Sequence, residues 1–227
     1  MHHLADVRAR LSWKHFFSGQ DHHLLLLLLL IPGARALMGS VEPATQRAAT
    51  CLIGIVVAHQ VLVWLVFRAQ ICFGTLTRLL GRADLAVWSA IFFPFLVARV
   101  AGTIVIGQLD AGSLGGPRDL HIVGGVALLL PALYTMWSVI VHFGLIRAVG
   151  ADHFRDRYRE MPMVTEGAFR FSSNAMYSFA FLALGGIALL WASRAALTLA
   201  LFQHAYIWVH WYCTEQPDLA VLYADTS

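Results

Sequence analysis

The sequence predicts an all-α, polytopic transmembrane protein. Of its 227 residues, 59% are hydrophobic and 13% are charged, and the mean hydropathy is +0.67. This balance lies outside the usual range of soluble domains, which need a larger share of polar surface. Long apolar segments alternate with short polar ones, which is typical of helices that cross a bilayer. We therefore expect a single integral-membrane domain over residues 1–227.

Six segments are candidate spans. At about 1.5 Å per residue, the longer ones can cross, or nearly cross, a hydrocarbon core of about 30 Å. The first surrounds an unbroken leucine run and is interpreted as an uncleaved span or a re-entrant helix. Only Ser193 and Arg194 separate the last two, so these should form a tight antiparallel helical hairpin. The segments are Leu24–Leu30, Thr50–Phe67, Leu85–Gly107, His121–Ile146, Ala175–Ala192 and Ala195–Tyr212.

Arginine and lysine are distributed unevenly between alternate loops, which predicts the orientation in the membrane. With the amino terminus in the cytosol, eleven of these residues lie in inner segments and four in outer ones. Positively charged loops tend to stay in the cytosol, so we expect both termini and the region around Asn174 there. The inner set is Arg8, Arg10, Lys14, Arg68, Arg78, Arg82, Arg147, Arg155, Arg157, Arg159 and Arg170, and the outer set is Arg35, Arg47, Arg118 and Arg194.

Charge and ligand spacing argue against several classes of function. A net charge of +3 fits membrane topology and anionic headgroups, and nucleic acid is not an expected partner. The histidine pairs His2–His3 and His22–His23 lack a supporting cysteine or carboxylate cluster, so we expect exposed side chains and no metal. The three cysteines are scattered, with neither a metal-ligand spacing nor a disulfide pattern. They are Cys51, Cys72 and Cys213.

A polar stretch, Pro162–Phe179, leads into the predicted hairpin and is the candidate active-site segment. Ser172 or Ser173 can cap the first amides of the following helix, whose positive end then favours an anionic group at the membrane surface. A juxtamembrane loop with a helix cap would give the same pattern. The side chains that offer donors and acceptors are Thr165, Glu166, Arg170, Ser172, Ser173, Asn174 and Tyr177.

This stretch carries a family resemblance. Val-Thr-Glu-Gly-Ala-Phe-Arg-Phe-Ser-Ser-Asn-Ala-Met-Tyr, ending at Tyr177, resembles the cofactor-binding segment of integral-membrane methyltransferases that include isoprenylcysteine carboxyl methyltransferase and phosphatidylethanolamine N-methyltransferase. The first group reads Val-Thr-x-Gly-Pro-Tyr-Arg and then Arg-His-Pro-x-Tyr-x-Gly, whereas the phospholipid group has Asn-Pro-Met-Tyr at the second place. Here Asn174-Ala-Met-Tyr177 is more similar to the phospholipid group, with Ala175 for the proline and Phe179 for the glycine.

A second run, Glu215–Tyr223, resembles the acidic pair plus proline that closes the phospholipid enzymes, with Gln216 in place of the second acid. The resemblance covers about Gly144 to Tyr223 and implies a methyltransferase-like, cofactor-binding part over residues 144–223. It implies S-adenosylmethionine as the cofactor and a membrane lipid as the acceptor. Glu215 and Tyr177 are then the candidate catalytic residues. The candidate cofactor-binding residues are Arg170, Ser173, Asn174, Tyr177, His210 and Glu215.

The final predicted helix has two polar faces. Polar and aromatic residues recur every three or four positions along it, so they form two neighbouring stripes on the helix surface. An interfacial aromatic belt with a solvated carboxylate would give the same pattern. The resemblance to methyltransferases favours a functional role, because the aromatic rings and carboxylate of the first stripe can bind a sulfonium or a methylated ammonium. It implies that Trp211 is a candidate substrate-binding residue. The first stripe is His204, Trp208, Trp211 and Glu215; the second is Gln203, Tyr206 or Ile207, His210 and Thr214.

Ionisable residues also occur at membrane depth. Arg99, in the middle of a predicted span, should face protein, water or a bound anion, because a charge in lipid is costly; it is the second candidate substrate-binding residue. Arg170 is better placed for the phosphate of a lipid in the cytosolic leaflet. His59, His142 and His204 are interpreted as core side chains hydrogen-bonded to a neighbouring helix.

The sequence thus predicts methyl transfer from S-adenosylmethionine to a membrane lipid, with the amine of phosphatidylethanolamine as the preferred acceptor. Methylation of an isoprenylcysteine-type carboxylate or of a lipophilic thiol is one alternative. A membrane reductase is a second, and a non-enzymatic module that binds haem between His142 and His204 is a third. The oligomeric state stays open.

Overall fold

The computed structural model describes residues 4–224, and this part of the chain is helical throughout apart from short turns. The predicted all-α transmembrane class is confirmed. A shorter apolar helical segment, Met176–Leu190, and the helix after it complete the bundle. His2 and His3 lie outside the described residues. The segments long and apolar enough to cross a membrane are Trp13–Met38, Pro43–Phe73, Thr75–Leu109 and Arg118–Phe143.

The helices differ greatly in length. The leucine run lies within one continuous helix of 19 residues, which is long enough for a full span. The α-helices are α1 (Leu4–Arg10), α2 (Trp13–Phe17), α3 (Gln20–Met38), α4 (Pro43–Phe73), α5 (Thr75–Leu80), α6 (Asp84–Leu109), α7 (Arg118–Ser138), α8 (Leu145–Ala148), α9 (Asp156–Arg159), α10 (Leu182–Leu190), α11 (Arg194–His210) and α12 (Gln216–Leu222). Turns of π-helix occupy Val139–Phe143, Met176–Ala180 and Trp211–Glu215.

The predicted tight hairpin is formed by α10 and α11. Ala192, at the turn, has a φ of +48°. Ser193 caps α11, because its hydroxyl accepts a hydrogen bond from the amide of Ala196 at 3.0 Å. The carboxylate of Asp110, at the end of α6, accepts from the Ser193 hydroxyl and from the Ala195 amide, each at 2.8 Å. These bonds satisfy the first amides of α11 and fix the turn against α6.

Glycine lets α7 approach α10 closely. A Cβ atom at Gly125 would lie 3.0 Å from the carbonyl oxygen of Gly186, and one at Gly186 would lie 2.9 Å from that of Gly125. Small residues of this kind allow membrane helices to pack backbone to backbone. The contact sets the position of α10, and with it that of the π-turn that precedes α10.

The two ends of the bundle carry different polar groups. At one end, the hairpin turn meets Asp110, and Arg194 donates to the carbonyl of Ser40 at 3.5 Å. At the other end, Arg155 pairs with Asp84 and Arg147 donates to the carbonyl of Pro162 at 2.9 Å. The predicted inner and outer basic residues in these contacts therefore lie at opposite ends.

A buried carboxylate, Asp218 in α12, joins distant parts of the chain at the second end. Its Oδ1 lies 3.0 Å from Nε2 of His15 and also pairs with Nε of Arg68 in α4. Its Oδ2 lies 3.7 Å from Nε2 of His153. Arg68 also donates to the carbonyl of Thr214 at 3.3 Å. Because the amino-terminal segment, α4 and the loop before α9 meet here, this carboxylate fixes α12 and the π-turn before it.

Loss of the Asp218 charge should destabilise the fold. In Asp218→Asn, Arg68 keeps a buried charge without its carboxylate, which typically costs about 3–5 kcal/mol. We expect the apparent Tm of the detergent-solubilised protein to fall by several degrees. Asp21→Asn is the matched control, since Asp21 is 78% exposed beside His22 and its loss should leave the Tm nearly unchanged. Equal Tm values for both variants would contradict the role of Asp218.

The arginine distribution predicts which end faces the cytosol. Single cysteines introduced at Arg157 and at Arg194, both exposed, should be labelled by an impermeant maleimide from opposite sides of sealed vesicles. The position at Arg157 should react from the cytosolic side, and the native cysteines are replaced beforehand. Labelling of both positions from one side would contradict the topology.

Candidate active site

The candidate site is centred on a contact between the two arms of the hairpin. The hydroxyl of Tyr177, in the π-turn before α10, donates a hydrogen bond to the carboxylate of Glu215, in the π-turn after α11. The ring of Tyr177 lies 6.2 Å from that of Trp208 and 5.7 Å from that of Trp211, measured between centroids. All four side chains are partly exposed. A carboxylate, a phenol and two indoles thus share one cleft.

The site lies where α7, α10 and α11 depart from α-helical geometry. Each of these helices has a π-turn at this end of the bundle, at Val139–Phe143, Met176–Ala180 and Trp211–Glu215. A π-turn adds a residue to one helical turn, so it rotates every following side chain and frees backbone groups from the regular ladder; such turns are frequent at functional sites. Here, two of them supply Tyr177 and Glu215.

Burial raises the pKa of Glu215 to about 7. The carboxylates of Asp152 and Asp218 act in the same direction, whereas the hydrogen bond from Tyr177 and the charge of His153 oppose the shift. Near neutral pH, Glu215 therefore exchanges between a neutral acid and a carboxylate. A group with this property can accept a proton or respond to a bound cation.

A buried histidine lies between two carboxylates next to Glu215. Burial alone would lower the pKa of His153, but Asp152 and Asp218 outweigh it and raise the pKa to about 10. Nδ1 of His153 lies 3.0 Å from Asp152, and Tyr223 donates to the same carboxylate at 3.0 Å. His153 is therefore cationic at neutral pH, and it partly balances the acids around Glu215.

Residues of the predicted cofactor segment lie beside this centre. The hydroxyl of Ser172 accepts from the amide of Asn174 at 3.2 Å, so Ser172 caps the following turn. Asn174 is half-buried and Ser173 is exposed. Arg170 is exposed too, with its guanidinium carbon 5.8 Å from the centroid of Phe171. Asn174 lies one turn before Tyr177, whose amide donates to the Asn174 carbonyl at 3.0 Å, whereas Arg170 lies on the surface.

The second stripe of α11 faces the interior. His210 is buried and interacts electrostatically with His23, Asp218, His59 and Arg99. Arg99 donates to Oε1 of Gln203 at 3.0 Å. These two predicted site residues form a deeper polar layer beneath the cleft.

The expectation that both histidines of the second pair are exposed is wrong for His23. His22 is exposed, but His23 is only 4% exposed, and its Nε2 lies 2.8 Å from the hydroxyl of Tyr206. Because α3 packs against α11, this helical position faces the core. Nδ1 of His23 lies 3.0 Å from Gln20, which in turn donates to the carbonyl of Cys213 at 3.2 Å.

His142 also departs from the expected contact with a neighbouring helix. Its Nδ1 lies 2.9 Å from the carboxylate of Glu166, in the loop that precedes the candidate segment. His204 lies with its ring 6.0 Å from that of Phe181 and beside the backbone of Tyr177. The two histidines therefore contact different parts of the site end.

Sequence reasoning missed the charged layer behind Glu215. Asp218 follows Glu215 by three residues, which puts both on one side of a helix. This spacing was the available signal. No signal pointed to the partners, which come from remote segments. The layer is His15, Arg68, Asp152, His153 and Asp218.

Chemically, the cleft suits an organic cation. A carboxylate stabilises a sulfonium or an ammonium by charge, and the faces of Trp and Tyr rings add cation–π attraction. The same carboxylate, with its pKa near neutrality, can take up a proton released in the cleft. Ser173 and Asn174 offer further polar groups at the mouth.

Comparison with known proteins agrees with this chemistry. Residues 120–226, a little under half of the chain, match the family model described as phospholipid methyltransferase. No curated protein and no solved structure matched the chain. The matched residues include all but the first two residues of α7, the hairpin and both partners of the Tyr177–Glu215 hydrogen bond. Over this carboxyl-terminal part, the chain is similar to phospholipid methyltransferases.

Proposed function

We propose that this protein transfers a methyl group from S-adenosylmethionine to the amine of a membrane phospholipid, with phosphatidylethanolamine as the first acceptor. The observation that carries the proposal is the Glu215 carboxylate, which accepts a hydrogen bond from Tyr177 beside the rings of Trp208 and Trp211. Both the methyl donor and the acceptor are organic cations at neutral pH. A carboxylate in an aromatic cleft is suited to each.

The residues present fit the cofactor. Glu215, Trp208 and Trp211 offer a negative charge and ring faces to a sulfonium, and Asn174, three residues before Tyr177, has a half-buried side chain that offers an amide. When bound, S-adenosylmethionine supplies a methyl group that its sulfonium already activates. The remaining tasks belong to the protein, which must align the acceptor and exclude water.

The acceptor amine must be neutral before it can attack a methyl group. Desolvation in the cleft favours the neutral amine over the ammonium. Glu215 then accepts the ammonium proton, which its raised pKa makes easier than for an exposed carboxylate. Tyr177 holds Glu215 in place through its hydroxyl. Glu215 is thus assigned to cation binding and proton acceptance, and Tyr177 to its orientation.

Product analysis tests the reaction. Purified protein incubated with methyl-labelled S-adenosylmethionine and a total lipid extract should place the label in N-methylated phosphatidylethanolamine. Glu215→Gln should lower the initial rate at least about tenfold, about 1.4 kcal/mol in transition-state stabilisation, because it removes both the charge and the proton acceptor. Label in a farnesyl-cysteine analogue, with none in phosphatidylethanolamine, would instead assign the carboxyl methyltransferase alternative.

The affinity for S-adenosylmethionine should depend on pH through Glu215. Because burial raises its pKa to about 7, the group is neutral below that pH and anionic above it. Calorimetric affinity should therefore rise between about pH 6 and 8 and then level off, with a midpoint near the raised pKa. Glu215→Gln should bind more weakly and without this rise.

Glu160→Gln is the matched control for that titration. It removes an exposed carboxylate from the same end of the bundle and should keep the wild-type pH profile. A wild-type affinity that stays constant across this range would contradict the assignment of Glu215.

A further inference from the structure

A second polar site lies deeper in the bundle, where α4, α6 and α11 meet. Arg99, His59 and His210 are each only 2% exposed. Four of their nitrogens have no hydrogen-bond partner among the described residues: Nη2 of Arg99, both ring nitrogens of His59, and Nδ1 of His210. Buried polar atoms are nearly always paired, so a group of unpaired ones from three helices calls for an occupant.

The three side chains lie close enough to interact electrostatically. The positive charge of Arg99 interacts with both His59 and His210. His59 is held between aromatic rings, with its ring centroid 4.8 Å from that of Phe92 and 5.3 Å from that of Phe95. The two phenyl rings offer no polar group to the ring nitrogens of His59. The Arg99 guanidinium is the positive charge that acts on both His59 and His210.

No carboxylate of the described chain neutralises Arg99. Asp84 and Asp110 lie at the two ends of α6, about 22 Å and about 16 Å away along the helix axis. Asp84 is bound to Arg155, and Asp110 holds the hairpin turn. The contacts made by the Arg99 side chain are Gln203 at 3.0 Å and the ring of Phe181 at 4.9 Å from the guanidinium carbon. The guanidinium remains charged in any environment, so an anion is the matching occupant.

Phe181 connects this site to the cleft above it. It follows Tyr177 by four residues, about 6 Å along a helix. It contacts His204, which in turn lies beside the backbone of Tyr177. Phe181 is partly exposed, and it separates the cleft from the Arg99 guanidinium. Phe181 thus lies between the two sites, with the Glu215 carboxylate at one and, at the other, the Arg99 guanidinium, whose hydrogen-bond partner is the neutral Gln203.

We propose that Arg99, together with His59 and His210, binds the oxyanion of a zwitterionic ligand whose cationic group lies at Glu215. The inference rests on the proposed function, which places two such ligands in the cleft. Phosphatidylethanolamine carries a phosphate near its ammonium, and S-adenosylmethionine carries a carboxylate near its cationic groups. In the lipid, the phosphate lies nearer the acyl chains than the amine does, which is the order of Arg99 and Glu215 from the bilayer centre outward.

This arrangement selects against other lipids. A lipid without an oxyanion would leave the buried Arg99 charge without a counter-ion, which is strongly unfavourable. A lipid without a cation would gain nothing from the Glu215 carboxylate. The two sites together therefore favour a headgroup with both charges. Arg99, His59 and Glu215 thereby act as specificity determinants for a zwitterion.

Binding measurements without turnover test the inference. Native mass spectrometry compares dioleoyl-phosphatidylethanolamine with dioleoylglycerol, which has the same acyl chains and no phosphate. Calorimetry compares S-adenosylmethionine with its decarboxylated analogue. The variants are Arg99→Gln, which removes the charge, and Arg118→Gln as the matched control, because Arg118 is exposed at the start of α7.

If the lipid phosphate is the anion, Arg99→Gln should lower the affinity for dioleoyl-phosphatidylethanolamine relative to dioleoylglycerol by about tenfold or more, about 1.4 kcal/mol. The variant should bind S-adenosylmethionine with the wild-type affinity. If the cofactor carboxylate is the anion, the loss should fall on S-adenosylmethionine and spare the decarboxylated analogue. Arg118→Gln should match the wild type in both assays. Binding of these ligands without any methyl transfer would leave the inference in place and remove the proposed function.

His59→Leu gives a second, independent variant if Arg99→Gln does not fold. A purely structural role predicts that this change is neutral or stabilising, since it removes two unpaired polar atoms from an apolar environment. The inference predicts weaker binding of the oxyanion-bearing ligand at unchanged or higher thermal stability. Wild-type binding of all four ligands by a folded Arg99→Gln or His59→Leu protein would overturn it.

Discussion

The carboxylate of Asp218 is the contact on which the site end of the molecule depends. It is fully buried and meets His15, Arg68 and His153, which come from three separate regions. Removing such a charge from water is costly, so the carboxylate is stable only while all its partners stay in place. Glu215 lies one turn earlier on the same helical path. Burial raises the pKa of Glu215 and the Asp218 carboxylate adds to the shift, so the residues that hold Asp218 in place also affect the carboxyl group of the site.

Much of the fold was predictable, because a chain that crosses lipid must satisfy its backbone hydrogen bonds internally, and long apolar segments do so as helices. Apolar length fixed the helical class, and the two residues between the last apolar segments required the hairpin that α10 and α11 form. Tyr177 and Glu215 were singled out by their resemblance to known motifs, and the structure joins them. The burial of His23 could not be predicted, because it depends on which face of α3 meets α11. The charged layer was hidden for the same reason: His15 and Asp218 are 203 residues apart.

The family match begins at residue 120, yet the surroundings of the site are built from the whole chain. Arg68 and His15 hold α12, and Gln20 and His23 brace α11 near the π-turn that carries Glu215. The matched part supplies Tyr177 and Glu215, and the earlier helices supply Arg68, His15 and Arg99. A change in one of these earlier helices can therefore alter the site without touching the matched part.

The contact between α3 and the end of α11 has a consequence for biosynthesis. A Cβ atom at Gly19 would lie 2.6 Å from the carbonyl of Cys213, so these backbones touch although they leave the ribosome far apart in time. Until α11 has been inserted, His23 has no Tyr206 to bond with and must find water or lipid headgroups instead. The first long helix of the described chain therefore reaches its final contacts only after the last long helix has been made, and the site is completed by contacts between the two ends of the sequence.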